Sequence, residues 1–180
     1  MTSYQKALKK LVLAGMFLAI GFVLPFLTGQ IREIGRMLAP IHLPVLICGF
    51  ICGPFWGFFV GLIAAPLRSI LFSMPAMPEC FFMAAELAAY GFISGLCYRL
   101  FPKKLLFYYI SLLIAMVSGR LIYGWTHLTV AGLQGGSYLF ETFLAATVLG
   151  CIPGIILQIL LIPPLLAGLK RTGQIPLLEA

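Results

Sequence analysis

The sequence contains very little charge and no aspartate. It carries 12 Lys or Arg and 5 Glu in 180 residues, so 9% of the chain is charged, whereas a soluble domain has about 25%. So few charged side chains cannot cover the surface of a water-soluble globule of this size. Hydrophobic residues make up 62% of the chain. This composition excludes an ordinary soluble enzyme and predicts an integral membrane protein with a single domain.

The sequence also lacks the motifs of ATP hydrolysis, metal binding and covalent catalysis. It has no G-x-x-x-x-G-K-[ST] run for a phosphate-binding loop, and no H-E-x-x-H or G-x-S-x-G motif. Its five cysteines lie in apolar runs, and no His or carboxylate completes a metal-binding set with Cys48 and Cys52. We therefore expect neither an enzyme nor a bound metal or cofactor.

Long apolar runs predict six membrane-spanning helices, since each crossing takes about 20 residues. The run from Met37 to Phe72 is too long for one helix and is interrupted at Gly53-Pro54, so we interpret it as two spans. The predicted fold is all-α, an integral membrane six-helix bundle, with spans at about 11–28, 37–53, 54–72, 80–100, 105–131 and 138–169.

The basic residues sort onto one side of this bundle. With six spans, the N-terminus, the 53–57 turn, the 101–104 loop and the C-terminal tail share a side. That side holds eight basic residues: Lys6, Lys9, Lys10, Arg99, Lys103, Lys104, Lys170 and Arg171. The opposite loops hold Arg32 and Arg36. The positive-inside rule therefore predicts both termini in the cytoplasm. We expect a multi-pass protein of a cell membrane, in a prokaryote. Short clusters without a continuous basic face do not favour nucleic-acid binding.

Three ionisable residues lie inside the predicted spans: Arg68, Glu86 and Arg120. Such residues cost about 2.5–3.5 kcal/mol each on insertion scales and usually mark a functional site. Helical spacing and depth add further candidates from the outer half of the bundle, namely Tyr90, Tyr123, Trp125, His127 and His42. The pattern predicts an outward-facing pocket in which Arg120 accepts an anion, Glu86 forms hydrogen bonds and aromatic side chains form the walls.

Each of these residues also has a purely structural interpretation. In this interpretation Glu86 and Arg120 form a structural ion pair that contacts no ligand, and the Arg68 side chain extends to the outer membrane interface. Glu141 is interpreted as an interfacial carboxylate at a helix start. The inner half contains no chain of carboxylates for a proton relay, which favours a binding protein over a complete transporter.

Small residues recur at spacings that allow helices to approach closely. Gly57, Gly61 and Ala65 form such a stripe in the third span, which we interpret as packing within the bundle. Gly15 and Ala19 form a similar pair in the first span.

These features together resemble the substrate-binding S components of energy-coupling factor (ECF) vitamin transporters. The segment Gly15-Met16-Phe17-Leu18-Ala19 is similar to that family's Ala-x-x-x-Ala docking motif, with Gly in place of the first Ala. Four other stretches look like segments of one S-component subgroup: His42-Leu43-Pro44-Val45-Leu46, Cys52-Gly53-Pro54, Glu86-Leu87-Ala88-Ala89-Tyr90-Gly91 and Gly119-Arg120. The resemblance covers nearly the whole chain, and it rests on the order and depth of these stretches.

The resemblance implies a function that the residues alone do not give. It implies high-affinity capture of a vitamin or precursor from outside, followed by release inside with a transmembrane coupling subunit and two cytoplasmic ATPases. Gly15 and Ala19 would then face the coupling subunit, and the loops at Gly29–Arg36 and Ser73–Glu79 would cover the pocket. Pantothenate, a pyridoxine-like ring and a hydroxymethyl-pyrimidine-like ring all fit Arg120 and Glu86.

Two other classes of function remain open at this level. One is a stand-alone, ion-coupled secondary transporter of a small polar solute, although no internal repeat is visible. The other is a membrane enzyme acting on a lipid, which would need carboxylates, His or Cys clustered at the cytoplasmic face.

Overall fold

The computed structural model describes residues 3–27, 37–133 and 151–171. Within these ranges the regular structure is entirely helical, without a β-strand, so the all-α prediction is confirmed. Six helices are described: α1 Ser3–Leu27, α2 His42–Cys52, α3 Pro54–Phe72, α4 Glu79–Leu100, α5 Leu105–Leu133 and α6 Ile152–Arg171.

Five of the described helices are long and apolar enough to cross a membrane. They contain the segments Tyr4–Phe26, Pro54–Phe72, Glu79–Leu100, Leu105–Val130 and Ile152–Arg171. The exception is α2, which has 11 residues and is shorter than the span expected at 37–53. At ~1.5 Å per residue it covers about 16 Å, roughly half of the hydrocarbon thickness.

The chain before α2 cannot continue as a helix because of Ala39 and Pro40. A residue that precedes proline is disfavoured in the right-handed helical region, and Ala39 adopts a left-handed conformation with φ of 44°. The amide of His42 donates a hydrogen bond to the Ala39 carbonyl at 3.0 Å. This tight turn places His42 at the first position of α2.

The central helix of the described bundle is α4. It packs against α2, α3 and α5, whereas α1 lies on α2 and α3, and α6 lies on α5 and α2. Two-thirds (67%) of the most apolar window of α4 is buried, compared with 11% for α1. Most residues of α4 are therefore buried by neighbouring helices, whereas most residues of α1 are exposed on the outside of the described bundle.

Glycines allow α4 to contact α3 backbone to backbone. A Cβ atom on Gly61 would lie 2.3 Å from the Leu87 carbonyl oxygen, and one on Gly57 would lie 2.4 Å from that of Gly91. Both distances are far below van der Waals contact. Ala65, one turn beyond Gly61, is also completely buried. The small-residue stripe of the third span is thus a packing surface within the bundle.

The α2–α3 joint, the α4–α5 loop and the C-terminal end of α6 lie at the same end of the bundle. Gly53, whose φ is 97°, makes the joint, and the Arg99 guanidinium covers it. The Lys170 ammonium donates a hydrogen bond to the Lys103 carbonyl at 3.0 Å. We call this the basic end. The α3–α4 loop, residues 73–78, lies at the opposite end, as the alternation of spans predicts.

Candidate functional site

A buried carboxylate on α4 is the centre of the candidate site. Glu86 is 2% exposed, and its Oε1 accepts hydrogen bonds from the Tyr90 hydroxyl at 2.9 Å and from Arg120 Nη1 at 2.8 Å. Its other oxygen, Oε2, lies 3.7 Å from His42 Nε2. We call Glu86, Tyr90, Arg120 and His42 the Glu86 cluster. The structure thus brings four of the predicted site residues together.

Helix geometry explains how these side chains meet. Glu86 and Tyr90 are four residues apart, so they project from the same face of α4, and Arg120 reaches them from the neighbouring helix α5. His42, at the start of α2, packs against Tyr90 with ring centroids 5.2 Å apart and ring planes at 60°. The site therefore depends on the mutual positions of three helices.

Gly119 makes the room that Tyr90 occupies. A Cβ atom at position 119 would lie 2.2 Å from Tyr90 Cε1, so the tyrosine ring rests against bare backbone of α5. Because Gly119 precedes Arg120, the same turn of α5 both receives the ring and supplies the guanidinium. The sequence had marked Gly119 only through its place beside Arg120.

A fourth helix reaches the Glu86 cluster through Cys151. This residue precedes α6, is 5% exposed, and lies within hydrogen-bonding reach of Arg120. No sequence pattern marks Cys151 as a site residue, because a cysteine in an apolar run resembles any small buried side chain. The cluster is therefore enclosed by α2, α4, α5 and the start of α6.

Several polar atoms of the cluster are buried without a hydrogen-bond partner among the described residues. They are both ring nitrogens of His42 and Nε of Arg120. A buried donor left without an acceptor costs about 1–3 kcal/mol. The charges of Glu86 and Arg120 balance each other, but the hydrogen-bonding capacity of the cluster is not used up. This arrangement can bind a small polar molecule that brings acceptors.

Two predicted residues, Tyr123 and His127, belong to a second polar cluster farther from the basic end. The Tyr123 hydroxyl donates a hydrogen bond to Glu79 Oε1, and His127 Nε2 lies 3.6 Å from Glu79 Oε2. The His127 ring also packs on Phe82, with centroids 4.1 Å apart. We call Glu79, Phe82, Tyr123 and His127 the Glu79 cluster.

The Glu79 cluster lies between the Glu86 cluster and the end of α4. Glu79 is seven residues before Glu86, which places it about 10 Å away along the helix, and its side chain is 41% exposed. Glu79 is the last residue of the loop predicted at Ser73–Glu79, but in the structure it is the first residue of α4. Its proximity to Tyr123 depends on how α4 and α5 pack, which helical spacing alone does not reveal.

Two other predicted residues, Trp125 and Arg68, lie in neither cluster. Trp125 is 71% exposed; five residues from Arg120 correspond to a rotation of about 140° around α5, so it faces away. Arg68 is buried, but its Nη1 donates to the Phe22 carbonyl at 3.5 Å, and its guanidinium lies 5.7 Å from the Phe72 ring centroid.

The predicted docking pair lies on an outward face of α1. Gly15 and Ala19 are exposed, and a Cβ atom on Gly15 would have nothing within 4 Å. Exposed Val12, Met16 and Val23 continue the same side of the helix. Glu141 and the predicted loop at 29–36 lie outside the described residues.

A separate groove between α1, α2 and α6 is entirely apolar. Its volume is about 540 Å³, and its lining includes Phe17 of α1, Pro44 of α2 and Leu165 of α6. It has no lining group that would orient a polar solute. Among the described residues, no three His, Cys, Asp or Glu side chains are grouped so as to hold a metal ion.

The described helices are those of a multi-pass membrane protein, and they enclose a buried polar cluster. Residues 9–166 match the family model described as ECF transporter, substrate-specific component. Since this match covers most of the chain, the protein belongs to that family, whose members are substrate-binding transport subunits and not enzymes. No curated protein and no solved structure matches the chain.

Proposed function

We propose that this protein is the high-affinity substrate-binding subunit of an ECF-type ABC importer, which captures a vitamin or vitamin precursor from outside the cell. The observation that carries the proposal is the Glu86 cluster. It combines a buried ion pair with unpartnered nitrogens of His42 and Arg120, in a chain that belongs to the S-component family. A buried ion pair alone is a poor stabiliser compared with apolar packing, so a binding role accounts better for its presence.

The orientation that we propose makes the basic end cytoplasmic. Lys170 lies at that end, where it donates a hydrogen bond to the backbone carbonyl of Lys103. Positively charged residues are enriched on the cytoplasmic side of membrane proteins. Glu86 lies two turns from the opposite end of α4. In this orientation both polar clusters lie in the outer half of the membrane, and a substrate reaches Glu86 from outside past the Glu79 cluster.

The substrates that we propose are those that offer an acceptor to Arg120 and a donor to Glu86. Pantothenate, a pyridoxine-like ring and a hydroxymethyl-pyrimidine-like ring meet this requirement. We propose that the loop at 73–78 covers the entrance. The Ser69 hydroxyl donates a hydrogen bond to the Pro75 carbonyl at 2.7 Å, which ties this loop to the end of α3.

The partners that we propose are a transmembrane coupling subunit and two cytoplasmic ATPases, because the described chain contains no nucleotide-binding motif. The exposed pair Gly15 and Ala19 on α1 is the proposed docking point for the coupling subunit. Small residues let two helix backbones approach closely in lipid, and the open space at Gly15 leaves room for that approach.

The proposed function is tested by separating binding from transport. The detergent-purified protein alone should bind its substrate tightly, and liposomes should take up that substrate only when the coupling subunit and ATPases are present with ATP. Flux driven by an ion gradient in liposomes that contain only this protein would instead establish a secondary transporter.

The proposed site is tested by removing the charges of the Glu86 cluster one at a time. Arg120→Ala and Glu86→Gln should each weaken substrate binding by roughly 10- to 150-fold, which corresponds to the loss of one hydrogen bond to a charged group. Ser118→Ala is a matched control on α5, because the Ser118 hydroxyl bonds only to the Ile114 carbonyl of its own helix at 2.7 Å. Unchanged binding in both cluster variants would contradict the site assignment.

A further inference from the structure

We infer that the substrate carries an anionic group that binds at Arg120 and that its binding brings one proton into the site, which His42 takes up. This inference rests on the proposed function. It goes further than that function in two ways. It assigns a negative charge to the substrate, and it assigns the uptake of a proton to His42, which the ion pair of Glu86 and Arg120 leaves without a role.

The inference begins with the charge balance of the Glu86 cluster. Glu86 and Arg120 form a pair at 2.8 Å, so with a neutral His42 the described cluster has no net charge. An anion that docks on Arg120 would add one negative charge in a buried place, and an uncompensated buried charge costs several kcal/mol. One proton added to the cluster cancels this charge.

Arg120 still has donor capacity for such an anion. Its Nη1 is engaged with Glu86, but its Nε is buried and unpartnered among the described residues. A guanidinium presents five N–H donors in a planar fork, and it can hold two carboxylates at once. The geometry therefore suits an acid group better than a cationic group, which would meet an already positive side chain.

His42 is in position to hold the proton. It is 2% exposed, and its Nε2 is 3.7 Å from Glu86 Oε2. A movement of under ~1 Å would bring this pair to hydrogen-bond distance. A protonated imidazole could then donate to Glu86 through Nε2 while Nδ1–H is directed to the substrate, so that both ring nitrogens would gain a partner.

The other titratable groups of the cluster are less suited to gain a proton near neutral pH. Tyr90 of α4 already carries its proton, because its hydroxyl donates to Glu86. Cys151, at the start of α6, lies beside Arg120. Arg120 of α5 is always charged. Among the described residues, α1 and α3 bring no titratable group into the cluster, since Arg68 is bonded to Phe22 instead. Among these residues Glu86 is the competing acceptor for the proton, but its Oε1 already accepts hydrogen bonds from Tyr90 and Arg120.

The sign of the pH dependence follows from this assignment. The complex holds one proton more than the free protein, so the affinity falls as the pH rises, by about tenfold per pH unit. Titrations at several pH values around neutrality measure this slope.

The test is isothermal titration calorimetry of the full-length protein in phosphate and in Tris buffer. Because the two buffers release heat differently on deprotonation, the difference gives the number of protons taken up. The probe is the molecule released from the purified protein and identified by mass spectrometry. If none is released, the probes are the carboxylates pantothenate, nicotinate and biotin, with pantothenol and nicotinamide as neutral counterparts.

We expect uptake of one proton with the wild-type protein and none with His42→Gln, whose affinity should no longer depend on pH. Tyr90→Phe keeps His42 and serves as the matched control that still takes up a proton. Binding of an acid without proton uptake, equal binding of a neutral counterpart, or uptake that persists in His42→Gln would each overturn the inference. Absence of binding by every probe would contradict the proposed function itself.

Discussion

The two sides of α4 differ in how they make contact. On the side of α3, Gly57, Gly61 and Gly91 bring the two backbones together without intervening side chains. On the side of α5, side chains fill the space, and Glu86 meets Arg120 there. One helix thus has a packed side that leaves no volume for a ligand and a polar side that has unused hydrogen-bonding capacity.

This difference indicates that the two sides of α4 have different roles, one in positioning the helix and the other in binding. Backbone contacts through glycine have no rotamers, so they fix the position of α4 against α3 at little cost in side-chain entropy. That fixed position holds Glu86 in place while the polar side can respond to a ligand. We therefore expect changes on the α3 side to affect folding and changes on the α5 side to affect binding.

The largest effect should follow from filling the α3–α4 contact. Gly61→Leu would place side-chain atoms where the Leu87 carbonyl lies, 2.3 Å from the new Cβ. Overpacking a core costs about 1–3 kcal/mol where side chains can adjust. The obstacle here is the backbone of α4, which cannot move aside as a side chain can, so we expect a cost above that range and larger than in the other variants. The melting temperature in detergent should fall strongly, or no folded protein should be obtained. Gly168→Leu on α6, where nothing lies within 4 Å, is the control, and equal melting of the two variants would refute the assigned contact.

The next effect should come from removing one partner of the buried pair. Arg120→Met leaves Glu86 unpaired, which typically costs about 3–5 kcal/mol. The double variant Glu86→Gln/Arg120→Met removes both charges and should recover most of that stability without recovering substrate binding. Thermal unfolding and ligand titration of the two variants separate these results. A double variant that binds normally would show that the pair serves structure alone.

A smaller effect should follow from occupying the space beside Tyr90. Gly119→Ala puts a methyl group 2.2 Å from the ring carbon Cε1, so the ring must shift and its hydrogen bond to Glu86 must lengthen. Loss of about 1–2 kcal/mol corresponds to a ~5–30-fold weaker ligand affinity, measured by titration. An affinity equal to that of Ser118→Ala would mean that the position of Tyr90 does not matter for binding.

The smallest effect on the isolated protein should come from the outward face of α1. Gly15→Leu and Ala19→Leu should leave melting and ligand affinity unchanged, because nothing lies within 4 Å of a Cβ on Gly15. Uptake with the coupling subunit and ATPases should nevertheless be lost in reconstituted liposomes. Val23→Leu, at an exposed position of the same helix, is the control. Loss of ligand binding in the Gly15 variant would indicate a role within the bundle instead.

The sequence predicted features that depend on one helix at a time. The i+4 spacing of Glu86 and Tyr90, the stripe of Gly57 and Gly61, and the all-helical fold follow from local periodicity and hydropathy, and the structure contains all three. The pairing of Glu86 with Arg120 was also anticipated, because two opposite charges at similar depth in lipid have few other partners.

Features that depend on rotation between helices were not predictable in the same way. Trp125 lies at a suitable depth, but on the side of α5 that faces away from the Glu86 cluster. Arg68 donates a hydrogen bond to a carbonyl of α1, and the sequence of α3 contains no pattern that predicts this contact. Glu79 was missed because its role arises from Tyr123, 44 residues away in the chain. The depth of a residue in the membrane can be counted along the sequence. The direction in which its side chain points relative to the other helices is known only once the helices are packed.

The central claim is that the substrate binds on the polar side of α4, against α5. The most direct test is the dissociation constant of the purified protein for its substrate in two variants of α5, Arg120→Lys and Trp125→Phe. These positions are five residues apart but face opposite ways. The account predicts that Arg120→Lys weakens binding by at least ~10-fold, because lysine lacks the planar fork, and that Trp125→Phe leaves binding unchanged. Equal effects of the two substitutions, or a larger effect of Trp125→Phe, would contradict it.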